Sequence, residues 1–213
     1  MTLPTSGLIT VNDRGARAAT TFGSVEAGGG NMVFIKKLTA SSSGTLSFVD
    51  GASSVVLDST YKEYLFTFKD IHPSVDDSNI QFQVSIDGGS NYNVAVTSTC
   101  FLAQHGEDGN NGGLAYYAAR DEAQGTGFHD FMTDLGNAND ECGAGYLHLF
   151  NPSSTTFVKH FIAQNNIIYG GGDRDFNYHY AGYFNTTSAI NAVQFKPASG
   201  NIDAGDICLY GIL

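Results

Sequence analysis

Residues 80–89, IQFQVSIDGG, decide the fold class of this chain. Apolar residues occupy every second position from Ile80 to Ile86, with glutamine or serine between them. Because successive side chains of a strand point to opposite faces, this alternation predicts a strand with one buried face. Asp87 and two glycines follow, which is a hairpin signal. We therefore expect an antiparallel partner strand over residues 92–102.

Strand-like runs separated by turn residues fill the rest of residues 32–213. The strongest is EYLFTF, residues 63–68, in which alternate aromatic side chains share one face. The segment 113–125 is ambiguous, and we interpret it as a strand followed by a loop over 121–127. The other predicted strands cover residues 32–38, 45–49, 55–57, 146–150, 156–163, 178–184, 190–195 and 207–212. Regular strands without intervening helices predict an all-β fold, an antiparallel β-sandwich of jelly-roll type, with few and short helices.

Residues 1–31 differ in composition from this β-sandwich domain. They are rich in small residues and end in a triple glycine, which is typical of an extended arm and linker. Within them Leu8, Ile9, Thr10 and Val11 form one short β-prone run with no core of its own. We expect these four residues to dock the chain on a partner by adding a strand to the edge of its sheet.

Charge and cysteine usage exclude several function classes. The formal net charge is −11, and lysine and arginine form no cluster, so we expect no nucleic-acid binding. No apolar run approaches membrane-spanning length, so we expect no membrane insertion. No export signal is recognisable, so we expect the protein to be made in the cytoplasm. The three widely spaced cysteines match neither a metal motif nor a disulfide framework, and we predict free, buried or partly buried thiols.

One loop has the composition of a ligand site. Asp173, Asp175 and Asn177 alternate as in the first half of a calcium loop, but Tyr178 stands where that loop needs glycine. We therefore predict no metal site and no cofactor, with a weakly bound calcium ion as a minor alternative. The loop HGEDGNNGG, residues 105–113, has similar composition and offers a cation or a sugar the same kinds of oxygen.

Tyrosines next to this loop suggest a second alternative, a glycan site. Tyr178 and Tyr180, together with Asp173, Asp175 and Asn177, would supply rings for stacking and oxygens for hydroxyl groups. The competing interpretation places these tyrosines in the core or at subunit interfaces. Carboxylates such as Asp130 and Asp134 are available for glycoside hydrolysis, but spacing does not indicate that they face each other. We expect no enzymatic activity.

Four stretches resemble a recurrent family of virion-associated proteins of marine and cyanobacterial tailed phages. They are LPTSGLITVND at residues 3–13, STYKEYLFTFKDIHPSVDDSNIQFQVSIDGGSNYN at 59–93, NPSSTTFVKHFIAQ at 151–164 and AGYFNTTSAINAVQFKPASGNIDAGDICLYGI at 181–212. The C-terminal part of the last stretch, SGNIDAGDICLYGI at residues 199–212, is the most distinctive. Together they cover part of the arm and much of the domain, and they carry no known catalytic or binding residues.

The resemblance implies a structural protein on the exterior of a virion, made in the host cytoplasm. It leaves open a capsid decoration or head fibre on one side and a tail fibre or adaptor on the other. The expected partners are other virion proteins and further copies of the chain, with a trimer as the first guess. Two alternatives stay open, a receptor-binding module that recognises host-surface glycan and a glycan depolymerase.

Overall fold

The computed structural model describes residues 31–213, and almost all of its regular structure is strand. Residues 1–30 of the predicted arm, with the docking residues 8–11, lie outside the described residues. The strands are β1 (Met32–Thr39), β2 (Leu46–Val49), β3 (Glu63–Pro73), β4 (Ser78–Ser85), β5 (Val96–Gly106), β6 (Gly113–Tyr116), β7 (Ala123–Gly125), β8 (His129–Leu135), β9 (Gly143–Phe150), β10 (Lys159–Ile168), β11 (Arg174–Phe184), β12 (Ala192–Pro197) and β13 (Ile202–Ile212).

Two antiparallel sheets pack face to face, which confirms the predicted β-sandwich. The large sheet has nine strands, ordered β1-β13-β3-β9-β10-β11-β5-β6, with β7 pairing β5 outside this path. The small sheet has four strands in the order β2-β12-β4-β8. The sets β1-β13-β3-β9 and β2-β12-β4-β8 have jelly-roll connectivity, because the chain crosses between the sheets in the two-Greek-key pattern. The remaining strands, β10, β11, β5, β6 and β7, widen the large sheet; we call them the extension.

The predicted hairpin between residues 80–86 and 92–102 is wrong. Strand β4 lies in the small sheet between β12 and β8, whereas β5 pairs with β11 in the large sheet. The turn itself forms, with Gly88 and Gly89 at φ of 71° and 84°, a conformation that favours glycine. Asp87 stabilises it by accepting a 2.9 Å hydrogen bond from the backbone N–H of Asn91. The same turn chemistry therefore starts a crossover between sheets.

Three further segments differ from the prediction. Residues 55–57 form no strand, although Val55 and Leu57 are buried. Strand β8 was not predicted, because buried His129 and Thr133 interrupt its apolar pattern. Segment 113–125 contains strand β6 as expected. A short 3₁₀ helix, Ala118–Arg120, follows it, and strand β7 lies within the predicted loop.

Phenylalanines fill the core between the jelly-roll strands. Phe195 of β12 lies within 5.0 to 6.3 Å, centroid to centroid, of the rings of Phe48, Phe66, Phe68 and Phe82. All five rings are buried. Three of the four contacts are edge-to-face, the geometry that aromatic quadrupoles prefer. The alternation that predicted β3 and β4 thus identifies core residues on both sheets.

Two other predictions concern helices and cysteines. The one helical segment of residues 31–213 is the three-residue 3₁₀ helix, and no helix in this part is long and apolar enough to cross a membrane. All three cysteines are free thiols: Cys100 is buried, and Cys142 and Cys208 are partly buried. Burial raises the pKa of Cys100 to about 11, so its thiol stays protonated at neutral pH.

Candidate functional site

The two polar loops that the sequence singles out meet at one end of the extension. Strand β5 ends and β11 begins at this point, where Gly106 is the register partner of Arg174. The backbone N–H of Glu107 donates a 3.0 Å hydrogen bond to the carbonyl of Asp173, which joins the loops. Between them lies a cleft of about 380 Å³, lined by Glu107, Asp108, Asn111, Gly171, Gly172, Asp173 and Arg174.

The cleft combines acidic groups with one fixed guanidinium group. The Arg174 guanidinium lies 4.5 Å from the ring centroid of Tyr169 and 5.5 Å from that of Phe176, a cation–π arrangement. On the opposite loop, hydrogen bonds from Asn110 lower the pKa of Asp108, so this carboxylate is ionised at neutral pH. Chemically, the cleft offers carboxylate and amide oxygens beside a donor, a set that can bind the hydroxyl groups of a polar ligand.

The structure does not bring the five predicted glycan-binding residues together. Asp173 lines the cleft, but Asp175 and Asn177 point outward from β11, where they bond to side chains of β10. Tyr178 and Tyr180 point inward and are buried, with 0% and 1% of their surface exposed. Alternation along one strand puts the polar and the aromatic members on opposite faces of the sheet. The tyrosines therefore pack the core and present no exposed ring on which a sugar could stack.

Metal ligands do not converge in the described part of the chain. Among residues 31–213 no three His, Cys, Asp or Glu side chains lie close enough to hold an ion. The calcium-like spacing of Asp173, Asp175 and Asn177 fails geometrically because the segment from residue 174 onward is a β-strand. In a strand, alternate side chains lie in a line along one face of the sheet, whereas a calcium loop directs them towards one central ion.

The two carboxylates considered for glycoside hydrolysis belong to an ion network that holds the 3₁₀ segment against β8. Arg120 donates to Asp130 at 3.0 Å and to Asp134 at 3.3 Å, and all three side chains are at most a quarter exposed. Asn79 and Gln81 of β4 also donate to Asp130, at 2.9 and 2.8 Å. With its oxygens accepting three hydrogen bonds, Asp130 is placed to fix structure rather than to transfer a proton.

The core beneath the extension contains several buried polar groups among its apolar side chains, in contrast to the phenylalanine cluster. Tyr180 lies with its hydroxyl 3.1 Å from that of Thr133, and its ring contacts the imidazole of His129 at 5.5 Å. Tyr178 stacks on Tyr180, with ring centroids 5.9 Å apart. Burial lowers the pKa of His129 to about 4, so the imidazole is neutral at pH 7. Burial likewise raises the pKa of both tyrosines, which keeps their hydroxyls protonated.

Most unpaired buried polar atoms of the described region lie in this part of the core. Six such side-chain atoms have no hydrogen-bond partner among residues 31–213, and five of them surround the inner side of the extension. These five are Arg120 Nε, His129 Nδ1 and Nε2, Asn165 Oδ1 and the Tyr178 hydroxyl. Leaving a buried polar atom unpaired costs about 1–3 kcal/mol. The core beneath the extension therefore has more unpaired buried polar groups than the core between the jelly-roll strands.

The opposite side of the large sheet, which we call the outer face, carries an exposed apolar band. Its side chains form rows across the strands, because register partners lie side by side. The central row contains Phe34, Tyr210, Leu65, His148, Ile162, Ala181 and Thr99. The large apolar side chains exposed on this face are Met32, Phe34, Phe101, Leu114, Tyr116, Tyr146 and Ile162. Contiguous apolar surface of this kind is typical of interaction sites.

A groove deepens the band where β9, β10, β11 and β5 lie side by side. Its volume is about 520 Å³, and its lining includes Phe150, Ile162, Ala181 and Tyr183. Ala181 contributes only a methyl group, so the larger neighbours form walls around it. Along β9, His148 stands beside Phe150 with ring centroids 4.2 Å apart, and its Nε2 lies 3.0 Å from Glu63 Oε2, outside hydrogen-bond geometry.

Our sequence reasoning missed the outer face, although the sequence contains a signal for it. In β9, Leu147 and Leu149 point inward and are buried, while Tyr146, His148 and Phe150 occupy the outward positions. When both the inward and the outward positions of a strand carry large residues, each face of the strand is expected to pack against other protein atoms. The alternation places Tyr146, His148 and Phe150 on one face of this strand, but the sequence alone does not show that this face is the exposed one.

Comparison with family models, with curated proteins and with solved structures finds no match to this chain.

Proposed function

We propose that this protein is a non-enzymatic structural subunit on the exterior of a tailed-phage particle. In this proposal the arm of residues 1–31 docks the subunit on other virion proteins and the jelly-roll domain forms the displayed body. The proposal covers a capsid decoration or head fibre as well as a tail fibre or adaptor. The tailed-phage context comes from the sequence resemblance, and the physical argument concerns only the role as an assembly subunit.

The observation that carries the assembly role is the outer face of the large sheet. A monomeric protein of this size rarely exposes a contiguous apolar band that crosses seven strands, whereas subunits of assemblies do. The band includes Ile162, which is 49% exposed, and Phe101, which is 44% exposed, both at the centre of strands. Apolar side chains at the middle of a sheet become covered when another protein or another layer of structure packs on them.

The engagement of the acidic groups further supports a structural role. A glycosidase needs two carboxylates that face each other across an open site. Asp130 and Asp134 instead share one guanidinium group, that of Arg120, and are mostly buried. Burial raises the pKa of Asp134, while its ion pair with Arg120 works against that rise. Both carboxylates are therefore committed to holding residues 118–120 in place.

Particle composition tests this proposal. Gradient-purified phage particles from an infected culture are analysed by quantitative mass spectrometry, and antibodies against residues 31–213 are applied to intact particles in electron microscopy. We expect a fixed copy number per particle and labelling at one structural location. Finding the chain only in the particle-free lysate would contradict the proposal.

The role of the arm is tested in the full-length chain. Because proline has no backbone N–H, it blocks strand addition at the position it occupies. Neighbouring N–H groups of a strand point in opposite directions, so Ile9→Pro and Thr10→Pro are made separately, with Ala18→Pro as the control outside the docking run. We expect one of the first two variants to lose incorporation into particles and the control to retain it. Equal incorporation of all three would exclude strand addition by residues 8–11.

A second candidate function is binding of a host-surface glycan, and the loop cleft is the observation that favours it. The site would consist of the cleft around Asp173 and Arg174, in place of the buried Tyr178 and Tyr180. A glycan array probed with the full chain and with Asp173→Ala separates the two functions. Specific binding that the substitution abolishes would support this candidate, and an array without specific binding would exclude it.

A further inference from the structure

Charge is distributed unevenly between the outer face and the rest of the chain. The whole chain has a formal net charge of −11. In the three central rows of the outer face, however, the acidic and basic side chains other than histidine are Glu63 and Lys37. Lys37 pairs with Asp206 at 3.2 Å near the edge of the sheet. Two copies can therefore bring these faces together with few like charges in opposition, whereas their other surfaces repel each other.

The size of the outer face suits association between proteins. Seven neighbouring strands about 4.8 Å apart and three side-chain rows about 7 Å apart give a face of roughly 30 Å by 20 Å. Stable interfaces cover about 600–1,000 Å² per partner, and the roughly 600 Å² of this face lies at the lower end of that range. A short peptide such as the predicted docking run of four residues would cover only a small part of it.

The relief of the face is self-complementary. It contains a groove around Ala181, walled by Phe150, Ile162 and Tyr183. It also contains aromatic side chains that stand out from the sheet, among them Phe101, whose ring stacks on His179 at 4.6 Å. When the same patch faces itself across a twofold axis, projecting side chains of one copy can enter the groove of the other. A neutral face with both features fits a second copy better than an unrelated charged partner.

We propose that the outer face of the large sheet, centred on Ile162 and the groove at Ala181, packs against a second copy of this chain. The inference deepens the proposed role as an assembly subunit and rests on it, because it names the partner of the apolar face. Association buries Ile162 and Tyr146 of both copies and leaves the loop cleft around Asp173 open, since the cleft lies at the end of the strands.

Sedimentation equilibrium and light scattering of the full chain test the inference. We expect an oligomer for the wild-type chain and a large loss of association for Ile162→Glu, which places a carboxylate in the centre of the contact. Burying an unpaired charge there should raise the dissociation constant at least about 100-fold. Ile86→Glu is the matched control, because Ile86 is an isoleucine of similar exposure, 42% against 49%, and lies just beyond the end of β4 in the small sheet.

Tyr146→Asp provides a second outer-face variant in case Ile162→Glu fails to fold, and circular dichroism verifies the fold of each protein. Loss of association in a folded outer-face variant, with the Ile86→Glu chain still associated, supports the inference. A monomeric wild-type chain, an oligomer that survives both outer-face substitutions, or equal loss in the control overturns it. None of these results changes the mass-spectrometric test for particle location, so the failure of self-association and the failure of the virion role are distinguishable.

Discussion

The jelly-roll strands and the extension belong to one molecule but bury different chemistry. Between the jelly-roll strands the core is a cluster of phenylalanine rings. Beneath the extension it contains two tyrosines, a histidine and an arginine that bridges two carboxylates. The apolar cluster stabilises the fold by removing apolar area from water. Burial of the polar side chains contributes less free energy, because their desolvation is unfavourable. The extension therefore widens the outer face of the large sheet, while its buried polar groups contribute less stability than the phenylalanine cluster.

The largest effect is expected in the phenylalanine cluster. Phe195→Ala removes a ring that contacts Phe48, Phe66, Phe68 and Phe82, and it leaves a cavity in a closely packed site. We expect the free energy of unfolding to fall by about 4 kcal/mol. Urea denaturation followed by tyrosine fluorescence measures it. A loss below about 1 kcal/mol would mean that this cluster is not the main source of stability.

The next effect is a pH dependence that originates beneath the extension. The pKa of His129 is about 4 in the folded state and 6.5 for an unperturbed histidine, so the unfolded chain binds the proton more tightly. Stability from the neutral imidazole is complete above pH 6.5 and is lost as pH falls towards 4. The total loss is about 3 kcal/mol.

His129→Phe isolates this effect. Glu122 and Asp134 have raised pKa values, and their protonation acts in the opposite direction over the lower part of the range. These groups are common to both proteins, so the difference between wild type and variant reports His129 alone. Denaturation at several pH values between 7 and 4 should give a steeper decline for the wild type, and parallel curves would show that His129 does not titrate as described.

A smaller loss is expected from the ion network. Arg120→Met leaves Asp130 with its donors Asn79 and Gln81 but removes the cation from two largely buried carboxylates. We expect a loss of about 2 kcal/mol and a further rise in the pKa of Asp134. Lys37→Met breaks an exposed pair with Asp206 and should leave stability unchanged within error. Similar effects of both substitutions would remove the distinction between the two sites.

The smallest effect compares two buried hydroxyl groups. Tyr180 has a partner in Thr133, so Tyr180→Phe should cost about 1 kcal/mol. The hydroxyl of Tyr178 has no partner within residues 31–213, and Tyr178→Phe should be neutral or stabilise by up to about 1 kcal/mol. Thermal unfolding of both variants beside the wild type measures the difference. If Tyr178→Phe is the more destabilising change, the polar core beneath the extension is better satisfied than its contacts indicate.

The jelly-roll half was largely predictable from the sequence because its strands keep one face apolar. Alternation at Tyr64, Phe66 and Phe68 identified β3 and its buried side correctly. Pairing was less accessible, since Gly88 and Gly89 are equally suited to a hairpin and to a crossover. Which of these forms depends on β12, whose residues align with β4 from more than a hundred positions away. Local sequence does not contain that contact.

The candidate site was predictable only in part. The two polar loops are recognisable from composition, and the structure brings them together in one cleft through the pairing of β5 with β11. The sequence did not show that the strand begins at residue 174. Because it does, alternation puts Asp175 and Asn177 on the face opposite Tyr178 and Tyr180. The outer face escaped prediction because it arises from seven strands side by side, while each strand alone contributes only one or two exposed apolar residues.

Hydroxyl-radical footprinting of intact particles tests the central claim most directly, that the outer face is an assembly surface. In the particle, Phe101, Tyr146 and Ile162 should be strongly protected compared with a chain made monomeric by Tyr146→Asp or Ile162→Glu, each residue being read in the variant that retains it. Phe157, which is exposed in a loop, should react equally in both. Equal reactivity of the outer-face residues in particle and monomer would contradict the account.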